Sequence, residues 1–255
     1  MNNYGYNPQG LHEITGKTTT MADKKTHKKE VDVVEKARGF WEDYSKQISY
    51  IGSAIILLVG AWLVYKYMFK KPEQEKADKI VFVTQKYFTQ FTNATDSAKI
   101  LMATKVLNGD GSHPGALKII SQYSGTPAAN LCQYYAGACY LQIGQYQKSI
   151  DHLKDFDANG ATQIKSRALG MMGDASAELK KNNEAFDYYK KAAEVNEKDD
   201  FTSSEYLFRA ALFAQSIGKT KDAIDLFKKI KTNYPLSEKA ADVDRYLARL
   251  GDFSE

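Results

Sequence analysis

The chain has 255 residues, of which 43% are hydrophobic and 26% charged, with 35 Lys and Arg against 31 Asp and Glu. Residues 72–255 hold 24 charges of each sign, so this large polar part is electrically neutral. Because domains that bind nucleic acids ordinarily present a basic face to the phosphates, the charge distribution argues against nucleic acid as a partner.

The N-terminal region divides into a polar tail and a basic segment. The first 20 residues are rich in Asn, Gly, Tyr and Thr, which predicts a disordered tail over residues 1–23. The cluster KKTHKK at 24–29 is either solvated charge or a contact for anionic lipid headgroups. Apolar residues then recur at helical spacing, so residues 24–47 are predicted to form a basic, amphipathic cytoplasmic helix. Its apolar face would lie on the membrane surface or on a partner protein.

The next segment is apolar over the thickness of a bilayer. A run of 19 uncharged residues ends at Tyr65, and about 20 such residues cross a bilayer core as a helix. Trp62 and Tyr65 lie near its end, where interfacial aromatic residues collect, and Lys66 can extend its ammonium group to the headgroups. We therefore predict a transmembrane helix at residues 48–69, with Ile48, Trp62, Tyr65 and Lys66 as anchor residues.

A cleaved signal peptide is the main alternative for this segment. It would begin within the first few residues and end at a small-residue cleavage site, whereas 47 residues precede the predicted helix and the run ends in YKYMFKKPEQ, without a pair of small residues. An uncleaved anchor therefore fits better. Basic residues flank both ends, so the positive-inside rule leaves the orientation open.

The part at residues 73–255 shows an internal repeat of helical hairpins. Three segments, at 132–156, 169–196 and 207–235, share a small residue where two helices would cross, a turn, a second small residue and a bulky residue four positions later. The first small residues are Gly137, Gly173 and Ala211, the second are Ser149, Ala185 and Ala223, and the bulky ones are Leu153, Tyr189 and Phe227. The second set is spaced by 36 and 38 residues.

This pattern predicts tetratricopeptide repeats, whose period is about 34 residues. Because one repeat cannot bury its own apolar face, repeats stack into a curved array. The predicted fold class is all-α, with one transmembrane helix followed by a tetratricopeptide-repeat α-solenoid. Helices at 73–91, 98–107 and 114–123 would cap the array or form a degenerate first repeat, and one at 237–250 would close it.

The sequence offers no catalytic constellation. Cys132 and Cys139 are about 10 Å apart along a predicted helix, too far for a disulfide, and are expected to be buried core residues. His113 and Asp110 share a Gly-rich loop and would supply two metal ligands, but two such residues in a Gly-rich segment more often form a simple turn. A P-loop, G-x-S-x-G and C-x-x-C are all absent from the sequence. We predict a non-enzymatic protein with no cofactor and no bound metal.

The predicted working surface is the inner groove of the solenoid, since the first helix of each repeat projects side chains inward. A mix of aromatic and acidic residues suits an extended peptide or a partner helix. The alternative is that several of them pack against the neighbouring repeat. The six candidates are Tyr134, Leu141, Asp174, Glu178, Phe208 and Gln215.

Three phrases carry a family resemblance: ALKIISQYSGTPAANLCQYYAG at residues 116–137, EAFDYYKKAAE and IKTNYPLSEKA. They resemble bacterial single-span tetratricopeptide proteins related to the ancillary subunit of the Sec translocon. The resemblance implies an inner-membrane location, a cytoplasmic N-terminus and a periplasmic repeat domain. It also implies contact with Sec translocon subunits and the transfer of secreted polypeptides to periplasmic chaperones. NYPLSEKA also looks like motifs of periplasmic tetratricopeptide proteins in outer-membrane assembly and cell division.

Two functions therefore remain open. The first is a translocon-associated module that presents its groove to secreted chains or chaperones. The second is a structural scaffold subunit of an envelope-assembly complex that binds no client.

Overall fold

The computed structural model describes the backbone of residues 21–253 and the side chains of residues 34–36 and 38–253. Most of the predicted disordered tail, residues 1–20, and the side chains of the KKTHKK cluster lie outside the described residues. The chain divides into two compact units, one ending at Tyr65 and one beginning at Lys66.

The first unit consists of one long helix, α1, Met21–Val64. Its 44 residues give it a length of about 66 Å. The apolar side chains of its second half, including Ile56, Leu57 and Leu58, are exposed. Within the described part of the chain, one helical stretch is long and apolar enough to cross a membrane, and it includes this segment. The predicted amphipathic segment and residues 48–64 of the predicted span lie in α1, with no helix break between residues 47 and 48. The rest of the predicted span falls in the turn that follows.

Beyond α1 the helical hydrogen bonding changes at a π-helical turn, Tyr65–Lys70. Pro72 follows in the first turn of the next helix. Because proline has no backbone N–H to donate, the regular α-helical pattern cannot run through this position. The π-helical turn thus ends directly before the helix turn that contains Pro72.

The second unit is all-α. Its helices are α2 (Lys71–Asn93), α3 (Asp96–Asn108), α4 (Ala116–Gln122), α5 (Pro127–Gln142), α6 (Tyr146–Asp155), α7 (Thr162–Glu178), α8 (Asn182–Glu194), α9 (Asp200–Ser216), α10 (Thr220–Asn233) and α11 (Ala240–Arg249). Helices α5 and α6, α7 and α8, and α9 and α10 pair as hairpins. The predicted upstream helices correspond to α2, α3 and α4, all of which pack on α5. Between residues 21 and 253 no strand forms, and Gly109 and Pro114 make an isolated bridge.

The predicted small and bulky residues lie at the hairpin crossings. A Cβ atom at Gly173 would lie 2.6 Å from Cε1 of Tyr189, and one at Gly137 would collide with Cγ of Leu153. The Ser149 hydroxyl donates a hydrogen bond to the Gly137 carbonyl oxygen at 2.8 Å. In these two hairpins the helices approach closely because the first helix carries no side chain at the crossing.

Successive repeats share a polar contact at equivalent positions. The Lys181 ammonium donates to Oε1 of Gln147 at 3.1 Å, and the Lys219 ammonium donates to Oδ1 of Asn183 at 3.0 Å. The partners are separated by 34 and 36 residues, which is one repeat. Exposed contacts of this kind stabilise a fold weakly, but their recurrence shows that the hairpins stack in a common register.

The core consists of two clusters of buried side chains. One extends from α2 to α7 and the other from α8 to α11, with Leu169 packed against both. Cys132 and Cys139 are free and fully buried in the first cluster, as the sequence predicts. Burial raises the pKa of the Cys132 thiol to about 12, so the group stays protonated and packs as a small apolar residue.

Ser176 is a weak point of this core. Its side chain is fully buried, and its hydroxyl oxygen has no hydrogen-bond partner among the described residues. An unpaired buried hydroxyl costs about 1–3 kcal/mol, and alanine is the better helix former. Ser176→Ala is expected to raise the free energy of unfolding by about 1 kcal/mol, measured by urea titration with circular dichroism on the detergent-solubilised full chain. Ser149→Ala is the matched control and should lower it, since Ser149 is hydrogen-bonded; a loss of stability at both positions contradicts the prediction.

Candidate protein-interaction site

The first helices of the three repeats form a row. Helix α5 contacts α7, and α7 contacts α9. The six predicted groove residues lie on these helices, two on each. The fold thus brings together side chains that are far apart in the sequence.

Two of the six belong to the hydrophobic clusters. Tyr134 and Phe208 are each 8% exposed. The Tyr134 ring lies 5.2 Å from that of Phe156, and the Phe208 ring lies 5.1 Å from that of Tyr246 in an edge-to-face arrangement. These two rings hold helices together and leave little surface for a partner.

The other four predicted residues present surface to solvent. Glu178 is exposed, Leu141 and Gln215 are half-buried, and the Asp174 side chain is 33% exposed. They offer one apolar, one amide and two carboxylate groups. A surface of this composition suits a polypeptide better than a small apolar ligand.

Asp174 is the centre of a network that joins three helices. Its carboxylate forms an ion pair with the guanidinium group of Arg209 and accepts a hydrogen bond from the Tyr189 hydroxyl at 2.7 Å. Burial, reinforced by the Asp174 charge, raises the pKa of Tyr189, so this hydroxyl remains a donor. The guanidinium also lies 5.1 Å from the Tyr189 ring centroid and 5.5 Å from that of Tyr206. The network fixes the orientation of the acidic group on this surface.

Arg209 is not among the residues predicted from the sequence. Asp174 and Arg209 are 35 residues apart, close to one repeat, on successive first helices. A search for opposite charges one repeat apart would have found this pair. The residue types of each helix, considered one helix at a time, do not reveal the pair.

The comparison with protein families agrees with the geometry. Residues 205–237 match the family model of the tetratricopeptide repeat. This chain contains a tetratricopeptide repeat. The match covers most of α9, the whole of α10 and the turn before α11. A search of curated proteins gives no match.

The predicted fold class is thereby confirmed: a candidate membrane-spanning helix precedes an all-α tetratricopeptide array. Arrays of this kind are scaffolds for protein interaction. The chain is therefore a protein-interaction module with a helix that could anchor it in a membrane.

The loop between α3 and α4 is organised by Asp110. Its carboxylate accepts hydrogen bonds from the Tyr87 hydroxyl and the His113 backbone N–H, both at 2.6 Å, and the Tyr87 bond is the main reason why the pKa of Asp110 lies below its usual range. The His113 ring nitrogen Nδ1 lies 3.2 Å from the same carboxylate. Across residues with described side chains, no three or more His, Cys, Asp or Glu residues cluster as a metal site. The Asp110–His113 pair thus closes a turn.

His152 is a partly buried histidine of the repeat domain. Its Nδ1 lies 2.6 Å from Oε1 of Gln133, and its ring stacks on Tyr140 at 5.3 Å. Burial lowers the pKa of His152, and this effect is larger than the increase caused by the negative charges of Asp155 and Asp151. Because the folded state binds the proton less readily than the unfolded state, the His152 contribution to stability is complete above about pH 6.5 and falls as the pH drops below it.

This linkage predicts the behaviour of a variant. Between about pH 6.5 and pH 5, the wild type should lose thermal stability more steeply than His152→Gln, which keeps a polar side chain but does not titrate. Melting temperatures from circular dichroism on the detergent-solubilised full chain would measure both slopes. His113→Gln is the control at an exposed histidine. Equal slopes in the wild type and His152→Gln would show that His152 does not carry the effect.

Proposed function

We propose that the chain is a single-pass inner-membrane protein, with its N-terminus in the cytoplasm and its repeats in the periplasm. In this proposal it associates with the Sec translocon and presents the repeat surface to secreted polypeptides or periplasmic chaperones. The observation that carries the proposal is the pairing, in one chain, of an exposed apolar helix with a protein-binding repeat array. The family resemblance described above supplies the orientation and the partner.

The proposed organisation keeps the predicted boundaries. Residues 24–47 lie on the cytoplasmic side, residues 48–69 cross the bilayer and residues 73–255 form the repeat domain. Trp62 and Tyr65 are exposed, as interfacial aromatic residues would be before lipid surrounds them. The apolar surface of α1 supports this proposal, since exposed apolar surface of that extent is unfavourable in water.

The proposed contact surface uses the four solvent-accessible groove residues directly. Leu141 would contact apolar side chains of the partner, while Asp174, Glu178 and Gln215 would exchange hydrogen bonds with its backbone or polar groups. Tyr134 and Phe208 would act through the packing of α5 and α9. In this arrangement the ion pair with Arg209 fixes the orientation of the Asp174 carboxylate before a partner binds. Less side-chain entropy is then lost on binding.

The association is tested by affinity isolation of the tagged full chain in mild detergent, with mass spectrometry of the co-purified proteins. Near-stoichiometric recovery of Sec translocon subunits is the expected result. Recovery of envelope-assembly proteins without Sec subunits would reject the translocon proposal and favour the scaffold.

Site-specific photocrosslinking in cells tests the contact surface. A benzophenone amino acid at Gln215 or Glu178 is expected to crosslink to secreted polypeptides or chaperones. The same group at Asp187 and Lys221, exposed positions on the second helices α8 and α10, serves as the matched control. If Sec subunits co-purify but all four positions crosslink alike, the chain is a scaffold without a client groove.

A further inference from the structure

A cavity of about 250 Å³ opens between the N-terminal part of α9 and the turn that leads into α11. Sites for drug-sized ligands measure about 300–1,000 Å³. This one is smaller and matches a single side chain of a larger partner. Its size thus favours an anchor residue of a polypeptide over a free small molecule.

Two large apolar side chains form the rim of the cavity. Leu236 is 96% exposed and Phe201 is 74% exposed, and both line the opening. Exposed large apolar residues that adjoin one another beside a concave site are typical of interaction surfaces. They offer a place for the apolar part of an incoming side chain.

The charge of the cavity is negative. Its charged lining residues are Asp200, Glu205, Glu238 and Lys239. Lys239 already pairs with Glu205 at 2.9 Å, and its ammonium also lies 5.5 Å from the Phe208 ring centroid. The lining thus holds three carboxylates and one ammonium, and Asp200 and Glu238 supply the excess negative charge.

We propose that this cavity binds an arginine side chain of a partner polypeptide. The arginine stem would lie against Phe201 and Leu236, and its guanidinium group would face Asp200 and Glu238. Arginine fits this arrangement because it combines an apolar stem with a planar cation that stacks on aromatic rings and pairs with carboxylates. The inference rests on the proposed protein-binding function and adds the chemistry of one anchor residue.

The test compares two fluorescein-labelled peptides, Gly-Ala-Leu-Arg-Ala-Gly and the same peptide with citrulline in place of arginine. Binding to the full chain in nanodiscs is followed by fluorescence anisotropy. Citrulline keeps the shape of the side chain and removes its charge. The arginine peptide is expected to bind about tenfold more tightly, and its advantage should shrink as salt is added.

Variants locate the binding. The double variant Asp200→Asn with Glu238→Gln should reduce the affinity for the arginine peptide about tenfold, to that of the citrulline peptide. The control, Asp187→Asn with Glu194→Gln, removes the same charge from exposed positions on α8 outside the cavity lining and should bind as the wild type does. Leu236→Ser provides a second variant with unchanged charge and should weaken binding severalfold.

Equal binding of the two peptides, or an unchanged affinity in the Asp200→Asn, Glu238→Gln variant, would overturn the inference. These results are separable from the proposed function. If a crosslinker at Gln215 reacts with clients while the arginine and citrulline peptides bind equally, the groove proposal is supported and the arginine site is rejected.

Discussion

Phe227→Ala is expected to lower the free energy of unfolding by about 3–5 kcal/mol. The Phe227 side chain is 0% exposed. Its ring packs edge-to-face with Phe208 at 5.6 Å and stacks on Tyr246 at 5.3 Å. Truncation removes both contacts and leaves a cavity that the surrounding helices cannot fill completely. Urea titration of the detergent-solubilised full chain, followed by circular dichroism, measures the loss.

A matched substitution at an exposed phenylalanine shows how much of the stability loss is due to burial. Phe82 is 70% exposed on α2, so Phe82→Ala should change stability by no more than about 0.5 kcal/mol. Similar losses at both positions would contradict the assignment of Phe227 to the core.

Gly137→Val is expected to lower the free energy of unfolding by about 3 kcal/mol. A side chain at this position would collide with Leu153, which is 2% exposed. The substitution forces α5 and α6 apart, and the gain from replacing a helical glycine, about 0.5–1 kcal/mol for alanine, is too small to offset this. The same urea titration measures the effect.

The collision is tested by adding Leu153→Ala. If valine fills the space that leucine leaves, the double variant should lose at least about 1 kcal/mol less than the sum of the two single variants. Additive losses would mean that the two side chains do not compete for the same volume.

The repeat core could be predicted from the sequence because close helix crossings admit few residue types. At Gly137 and Gly173 only a residue without a side chain allows the observed approach, and the bulky partner follows at a fixed distance along the chain. These constraints are local to one hairpin, so a single repeat shows them. The repeat period is then the number of residues between equivalent positions of successive hairpins.

The exposure of the groove residues could not be predicted in the same way. Phe88 on α2 stacks on Tyr135 at 4.1 Å and approaches Tyr134 at 6.0 Å, and Tyr246 on α11 lies against Phe208. Both covering residues come from helices outside the repeat pattern. A repeat motif indicates which face of a helix a residue occupies, but it does not indicate what a flanking helix places over that face.

Helix α1 is longer than a bilayer crossing requires. A bilayer core of about 30 Å uses about 20 residues of a helix, whereas α1 has 44. If its C-terminal portion lies in the bilayer, the remaining part extends for about 36 Å as a stiff spacer. The first residues of α1 would then be held at a fixed distance from the bilayer core, and the number of helical residues would set that distance.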